Sequence, residues 1–401
     1  METLTAKALV VGAGPVGLTA AIALASSGLD TVLIARAAPA DNRTTALLGG
    51  SVTALQTLGV WSHCQDHTAP LRTLRIADDT NRLIRAPEAR FEAGELDLDA
   101  FGWNIENRHL IAALEKRAGE LPNLKRFAQD ASAIEIGDAQ VTARTQDGTS
   151  IGAPIAIGAD GRKSLCRAAA KIEVSGWGYP QVALTLIVKH SRPHQNISTE
   201  FHTESGPFTL VPLSGNRSSI VCVVNPAEGE LLRAMDAPAL AQEMERRSHS
   251  ILGRVEIEPG MGFFPLAVET ASSFAGSRIA LAGEAAHRIP PIGAQGLNLG
   301  LRDAALIAEF AAQAHREGRD IGNAELLARY DRERRADVTS RTLAVDLLNR
   351  TLLSGFLPLQ GMRGLGMTLM NTLVPLRRAV MREGIAPSSA QPRLMRGEQI
   401  A

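Results

Sequence analysis

The stretch Val10-Val11-Gly12-Ala13-Gly14-Pro15-Val16-Gly17 decides the fold. It follows an apolar run, Ala6–Val11, that reads as a short buried strand, and it opens an apolar run, Pro15–Ser27, that reads as a helix. A second strand-like run, Thr31–Ala35, comes next. G-x-G-x-x-G set between strand and helix in a β-α-β unit is the dinucleotide fingerprint. Gly12 permits the tight turn, Gly14 lets backbone N–H groups approach a pyrophosphate, and Gly17 lets helix and strand pack closely. The bare motif would also describe a tight structural turn; its setting makes a nucleotide site the expectation. One element is missing. The acidic residue that should meet the ribose about 20 residues on is replaced by Ala35, and Arg36 beside it reads either as a solvated side chain or as a contact to adenosine or phosphate.

Two later segments fit the same site. Ala153–Ala159 reads as a buried strand ended by Asp160-Gly161, and the segment Ile157–Arg167 carries it through that turn to a helix start with Ser164 near the cap. Leu281–Asp303 places Glu284 just past a strand, where a carboxylate can accept hydrogen bonds from a polyol. It continues through Pro290, Pro291, Gly293 and Ala294 into a helix beginning near Gly296, whose amides and dipole suit an anionic group. Between these segments, from about Tyr179 to Phe264, the character changes. The runs Gln181–Lys189, Phe208–Pro212 and Ser218–Val224 are strand-like, with Pro207, Gly215 and Asn216 as turn formers. The expected fold is therefore α/β. A Rossmann-like domain from residues 1–70, 101–175 and 268–345 would carry an inserted, mixed but largely antiparallel sheet from 71–100 and 176–267. A C-terminal helical region would span 346–401.

Composition narrows the partners. The 401 residues include 42 Lys+Arg and 42 Asp+Glu, so no global field attracts nucleic acid. Trp, Tyr and Phe number 3, 2 and 10, too few for a stacking surface along a single strand. Cys64, Cys166 and Cys222 are far apart, and METLTAK lacks the basic start and apolar core of a secretory signal, so a reducing, cytoplasmic setting is expected.

The segments together resemble the FAD-dependent aromatic hydroxylases of the para-hydroxybenzoate hydroxylase superfamily, and within it the UbiH/UbiF-type ubiquinone-biosynthesis hydroxylases. The resemblance covers nearly the whole chain. It rests on Asp41-Asn42-Arg43-Thr44-Thr45-Ala46-Leu47 for D-x-R-x-x-A-L, on Glu106-Asn107-Arg108-His109-Leu110 for E-N-R-x-L, and on Gly206–Leu213 for G-P-x-x-L-x-P-L. The third cofactor segment is the most specific match. The resemblance implies FAD as cofactor, with Arg43, Asn107 and Arg108 near the flavin or its phosphates and Asp160 supporting cofactor and backbone. It implies Glu284 at the ribityl chain, with Pro291, Gly293, Gly296, Leu297 and Asn298 around the ring. Glu284 stands where the family usually has Asp, and Ala294 where the ubiquinone group usually has Gly. The implied activity is hydroxylation of the aromatic ring of a polyprenylated ubiquinone precursor, with NAD(P)H as transient reductant and O₂ as oxygen source. Related alternatives are a flavin reductase or dehydrogenase, and a flavin-binding subunit without turnover. A halogenase is disfavoured because Trp61, Trp103 and Trp177 form no W-x-W. No protein acid or base emerges.

Other features read more plainly. His63/His67 and His190/His194 have helical metal-ligand spacing but lack further ligands, so surface histidines and no metal are expected. His287 reads as a structural hydrogen-bonding group, Asp303 as support for the long helix, and Arg332–Arg335 as a solvated charged face. Residues 351–376 are apolar, Gly-interrupted and free of acidic groups, and from Arg350 onward seven Arg face two Glu. Packing over the cofactor domain is one reading; peripheral contact with the inner face of a membrane, or with a biosynthetic complex, through 350–385 is the other.

Overall fold

The computed structural model describes residues 3–37, 41–82, 85–291, 293–353, 357–385 and 391–400. Position 292 of the third cofactor segment and positions 354–356 of the apolar C-terminal stretch lie outside the described residues.

The buried apolar runs form one sheet. Its order is Ala275–Gly276, Ile279–Leu281, Ile155–Gly158, Ala8–Val11, Thr31–Ile34, Leu124–Phe127. All neighbours run parallel except the first pair. The carboxyl ends of four strands, at Val11, Ile34, Gly158 and Leu281, therefore meet at one edge, the position where open α/β sheets bind ligands. The helix Pro15–Ser26 starts from that edge, and nine consecutive residues, Gly17–Ala25, are buried. Such close packing depends on glycine. A Cβ on Gly12, whose φ is +109°, would lie 2.2 Å from the Ala159 carbonyl oxygen, and one on Gly17 would lie 1.9 Å from that of Gly12.

A second sheet covers the carboxyl edge. Its path is His287–Arg288, Gly262–Ala271, Val174–His190, Arg217–Val224, Pro207–Leu213, Ile197–His202, Thr73–Asp78, Ala89–Glu92, with Val255–Ile257 beside Val174–His190. Only Ile197–His202 and Thr73–Asp78 pair in parallel along this path; the rest is antiparallel. The sheet is two-faced because strand side chains alternate. Leu184, Leu186, Phe201, Phe208, Leu210 and Ile220 form a core with Leu232 and Leu240 of the helices Pro226–Ala234 and Ala237–Arg247. Thr185, Glu200, Thr209, Val211 and Val221 face a cavity instead. The expected inserted sheet is thus present, and the strand read as Gln181–Lys189 extends over Val174–His190.

The helix expected to begin near Gly296 runs from Gln295 to Arg316 and packs on Pro15–Ser26. It is followed by a thirty-residue helix, Ala324–Leu353, whose Tyr330 donates to the Leu281 carbonyl at 2.7 Å. Helices Leu357–Thr372 and Val374–Ile385 then lie over the cavity, and the tail returns so that Leu394 and Met395 are buried against the helix Gly49–Thr57. Among the described residues no helix is long and apolar enough to cross a membrane.

Two expectations fail here. His190 is buried, held by the Arg192 carbonyl at 2.8 Å and Ser218 Oγ at 3.0 Å, because it lies inside a strand and not on a helix. Arg334 is not solvated. It is 2% exposed, because its helix turns that face toward Asp303.

Candidate active site

A single cavity of about 1150 Å³ runs from the glycine fingerprint to the inserted sheet. Its first half is built from backbone. Gly14 is the residue before the helix, with φ −70° and ψ 173°, and a Cβ there would meet nothing within 4 Å although the residue borders the cavity. Gly296, in the first turn of the long helix, has the same open space above it and borders the same cavity. These are cradles with room for an anionic group beside two helix N-termini. Asp160 lies just past the neighbouring strand, which ends at Gly158. Its Oδ2 accepts from the amides of Leu165 and Cys166 at 2.7 and 3.2 Å, and its Oδ1 is buried with no partner. Open glycine cradles and an exposed Glu284 on the cavity wall fit a long, polyhydroxylated dinucleotide such as FAD, with Asp160 one layer behind the wall at Ala159 and Gly161.

The side chains carried by the D-x-R and E-N-R motifs converge. Arg43 forms a two-point pair with Asp41, both contacts at 2.8 Å, and lies over the Phe264 ring. Asn107 donates to Asp41 at 2.8 Å and accepts from Thr45 Oγ1 at 2.6 Å. Burial alone would raise the Asp41 carboxyl; hydrogen bonds from Arg43 and Asn107 outweigh it and hold the group below the ordinary carboxylate range. The Asp41 bond raises Arg43 in turn, with help from the nearby Glu284 charge. Asp41, Arg43, Asn107, Glu284, Pro291, Gly293 and Leu297 all border the cavity. Asn298 works one layer back: it donates to the carbonyls of Ala46 and Ala294 and accepts from the Leu48 amide, pinning the helix start to the strand Thr44–Leu48. Gly12, Gly17 and Asp160 lie behind the wall, and Arg36 and Arg108 stand apart from it. Arg36 pairs with Asp130 at the surface, and Arg108 pairs with Glu106 at 2.6 Å.

Behind the third segment lies a cluster that sequence reasoning did not assemble. Asp303, fully buried, accepts from the Gly283 amide at 2.9 Å, from His287 Nε2 at 2.7 Å and from Arg334 Nε at 2.6 Å. Asp337 bridges Arg302, Arg334 and Arg341, and Arg341 reaches Gln295 at the start of the long helix. Burial would raise the Asp303 carboxyl; the charges of His287 and Arg334 overcome it and hold the group low. The visible signal was the spacing of Arg334, Asp337 and Arg341, which share one helix face at steps of three and four. The cluster fixes the turn that presents Glu284 and the N-terminus that presents Gly296.

The profile of the FAD binding domain family matches residues 5–343. The chain is 34% identical to the ubiquinone hydroxylase UbiL of Rhodospirillum rubrum, over 98% of this chain and 93% of that protein. It is 30% identical to the 3-demethoxyubiquinol 3-hydroxylase of Escherichia coli, over 93% of this chain and 96% of that one. Among solved structures, p-nitrophenol 4-monooxygenase PnpA from Pseudomonas putida shares the fold with a TM-score of 0.78, at 20% identity over 97% of this chain and 100% of that one. HpxO from Klebsiella pneumoniae, solved with FAD, does so at 0.73, with 20% identity over 94% of this chain and 98% of that one. The chain is a member of the FAD binding domain family and belongs with the ubiquinone-hydroxylase relatives of the para-hydroxybenzoate hydroxylase superfamily, as an FAD-dependent hydroxylase.

Proposed function

We propose that this protein hydroxylates the aromatic ring of a polyprenylated ubiquinone precursor, taking electrons from NAD(P)H and oxygen from O₂. The observation that carries the reading is the continuity of the cavity: the same space touches Gly14, Glu284 and Gly296 at one end and the inserted sheet at the other. In this reading residues 1–70, 101–175 and 268–345 form the cofactor domain, and 71–100 with 176–267 form the substrate domain.

FAD would lie along Gly14, Glu284 and Gly296, with Gly12 and Asp160 supporting the turns beneath it, and when bound it supplies the redox chemistry and the activation of O₂. The chain's own residues do the rest. The amides at Gly14 would receive the pyrophosphate, and the positive end of the helix beginning at Gln295 would favour negative charge on the ring. Arg43, already neutralised by Asp41, adds a donor without a large net charge. Asp41–Asn107–Thr45 holds that donor in place. The substrate half is walled by Leu74, Phe91, Val211, Leu266, Met367 and Met370, which exclude water from the reacting ring.

The apolar tail of the substrate needs a route. Met367, Met370, Val380 and Met381 of the two C-terminal helices border the cavity, while Leu365, Val374 and Leu376 on the same helices, and Leu373 between them, face outward. Arg378 and Arg382 are exposed beside them. That combination supports peripheral contact of 350–385 with an anionic lipid surface, from which a prenyl chain would enter between the helices and the sheet.

The test is isotopic. FAD-loaded protein given a prenylated phenol, NADH or NADPH and ¹⁸O₂ should place one labelled oxygen on the ring. Reductant consumed with all label recovered in peroxide and water would instead make the protein a reductase.

A further inference from the structure

The strand Ile197–His202 sets Ser198, Glu200 and His202 on one face, and all three border the cavity. Glu200 Oε1 lies 2.8 Å from His202 Nε2, and Thr209 donates to Glu200 Oε2 at 3.3 Å. Facing a carboxylate, the neutral imidazole carries its proton on Nε2 and its lone pair on Nδ1. Nδ1 has no hydrogen-bond partner among the described residues. Asp78, the cross-strand neighbour of His202, is committed elsewhere: it accepts from the amide and hydroxyl of Thr80 and from the Ala86 amide. The cavity wall on this side carries Ile76, Val221, Leu266, Met367 and Met370 beside the polar Arg75 and Asp78. Keeping a carboxylate and an imidazole in such a wall costs desolvation that an aliphatic pair would avoid. A few polar groups converging in an apolar pocket are the usual mark of groups that meet a ligand.

We propose that His202 is the proton acceptor for the ring hydroxyl of a phenolic substrate and that Glu200 positions it. The assignment deepens the hydroxylase reading and rests on it. The substrate's O–H bond breaks, its proton passes to His202 Nδ1, and the electron pair stays on oxygen and spreads to the ortho and para carbons. One of those carbons forms the new C–O bond to an atom from O₂. Two electrons come from the nicotinamide reductant, and the second oxygen atom leaves as water. The ring regains aromaticity by losing the hydrogen of that carbon as a proton, and the imidazolium returns its own proton to the phenolate oxygen. Glu200 stabilises the imidazolium and fixes its tautomer.

Two probes separate proton transfer from packing. The first is 2-prenylphenol, which titrates near 10 as tyrosine does. The second is a ring-fluorinated 2-prenylphenol already ionised at the assay pH. His202→Asn should lose about 10²-fold or more in kcat on the first, within the range of a removed general base. On the ionised phenol it should lose less than about tenfold, because no proton remains to be taken. Glu200→Gln should show the same contrast at smaller size, and both variants should retain FAD. Equal losses on the two phenols, or no loss on either, would overturn the assignment while leaving the hydroxylase reading intact. Wild-type protein that labels neither phenol from ¹⁸O₂ would overturn both.

Discussion

The two halves of the cavity are built by different means. In the proposed reading the cofactor half rests on fixed turns and chiefly on their backbone: Gly12, Gly14 and Gly17 follow one strand, Asp160 another, and Glu284 and Gly296 a third. The substrate half is made of side chains drawn from strands and helices far apart in sequence, such as Leu74, Glu200, Val221 and Met370. A backbone site demands particular residue types at fixed local spacing. A side-chain site demands only that the wall be filled, and many residues fill it. One half is therefore fixed for a cofactor common to many proteins, and the other is free to follow its substrate.

The largest effect expected from breaking this arrangement comes from behind the cofactor half. Asp303→Ala leaves Arg334 buried without its main partner, and removing one member of such a cluster costs about 3–5 kcal/mol. Urea unfolding should show a loss of that size together with loss of FAD; a change under about 1 kcal/mol would mean that the cluster does not hold the cofactor turn. The same cluster sets an acid limit. Asp303 and Asp337 are held below their ordinary values in the folded chain, so their stabilisation is complete above roughly pH 4 and is lost as pH falls through the folded values. Asp303→Asn should lower stability at neutral pH and flatten its fall with acid.

This division also governs what could be read from the chain beforehand. The β-α-β opening, the strand before Asp160 and the helix beginning near Gly296 are periodic or motif-bearing, and the structure has them where expected. Arg43 and Asn107 were flagged through family spacing, and they meet around Asp41. Glu200 and His202 lie on the strand Ile197–His202, which is not among the strand-like runs of the sequence, because its polar residues break the apolar pattern. Arg334 was misread for another reason. A charged stretch signals solvent unless a buried counter-charge waits opposite, and Asp303 lies 31 positions away in sequence.

The substrate half offers a smaller, sharper test. If the C-terminal helices meet an anionic surface, Arg378→Glu with Arg382→Glu should weaken binding to phosphatidylserine-containing vesicles by about 1 kcal/mol or more per site. Neutral vesicles should respond far less. Vesicle binding that survives both reversals would leave these helices as a cover for the cavity and nothing more.

A finer effect concerns Ala294. It enters the long helix at φ +55°, a left-handed conformation that costs a residue with a Cβ about 1 kcal/mol. Ala294→Gly should recover up to about that amount. A destabilised Gly variant would show that the alanine side chain packs usefully enough to offset the strain.

The central claim, that the cofactor half is a backbone cradle, is tested most directly by titrating FAD into Gly14→Val and following flavin fluorescence, with Ala35→Glu as the comparison. A Cβ at Gly14 meets no protein atom within 4 Å and opens toward the cavity, so the variant should unfold near the wild-type urea midpoint. Its branches would occupy the space through which the pyrophosphate reaches the amides, so FAD affinity should fall by about 100-fold or more, or about 2.7 kcal/mol. Ala35→Glu should change affinity by less than about tenfold. A Gly14→Val protein that is folded and binds FAD as tightly as the wild type would contradict the account.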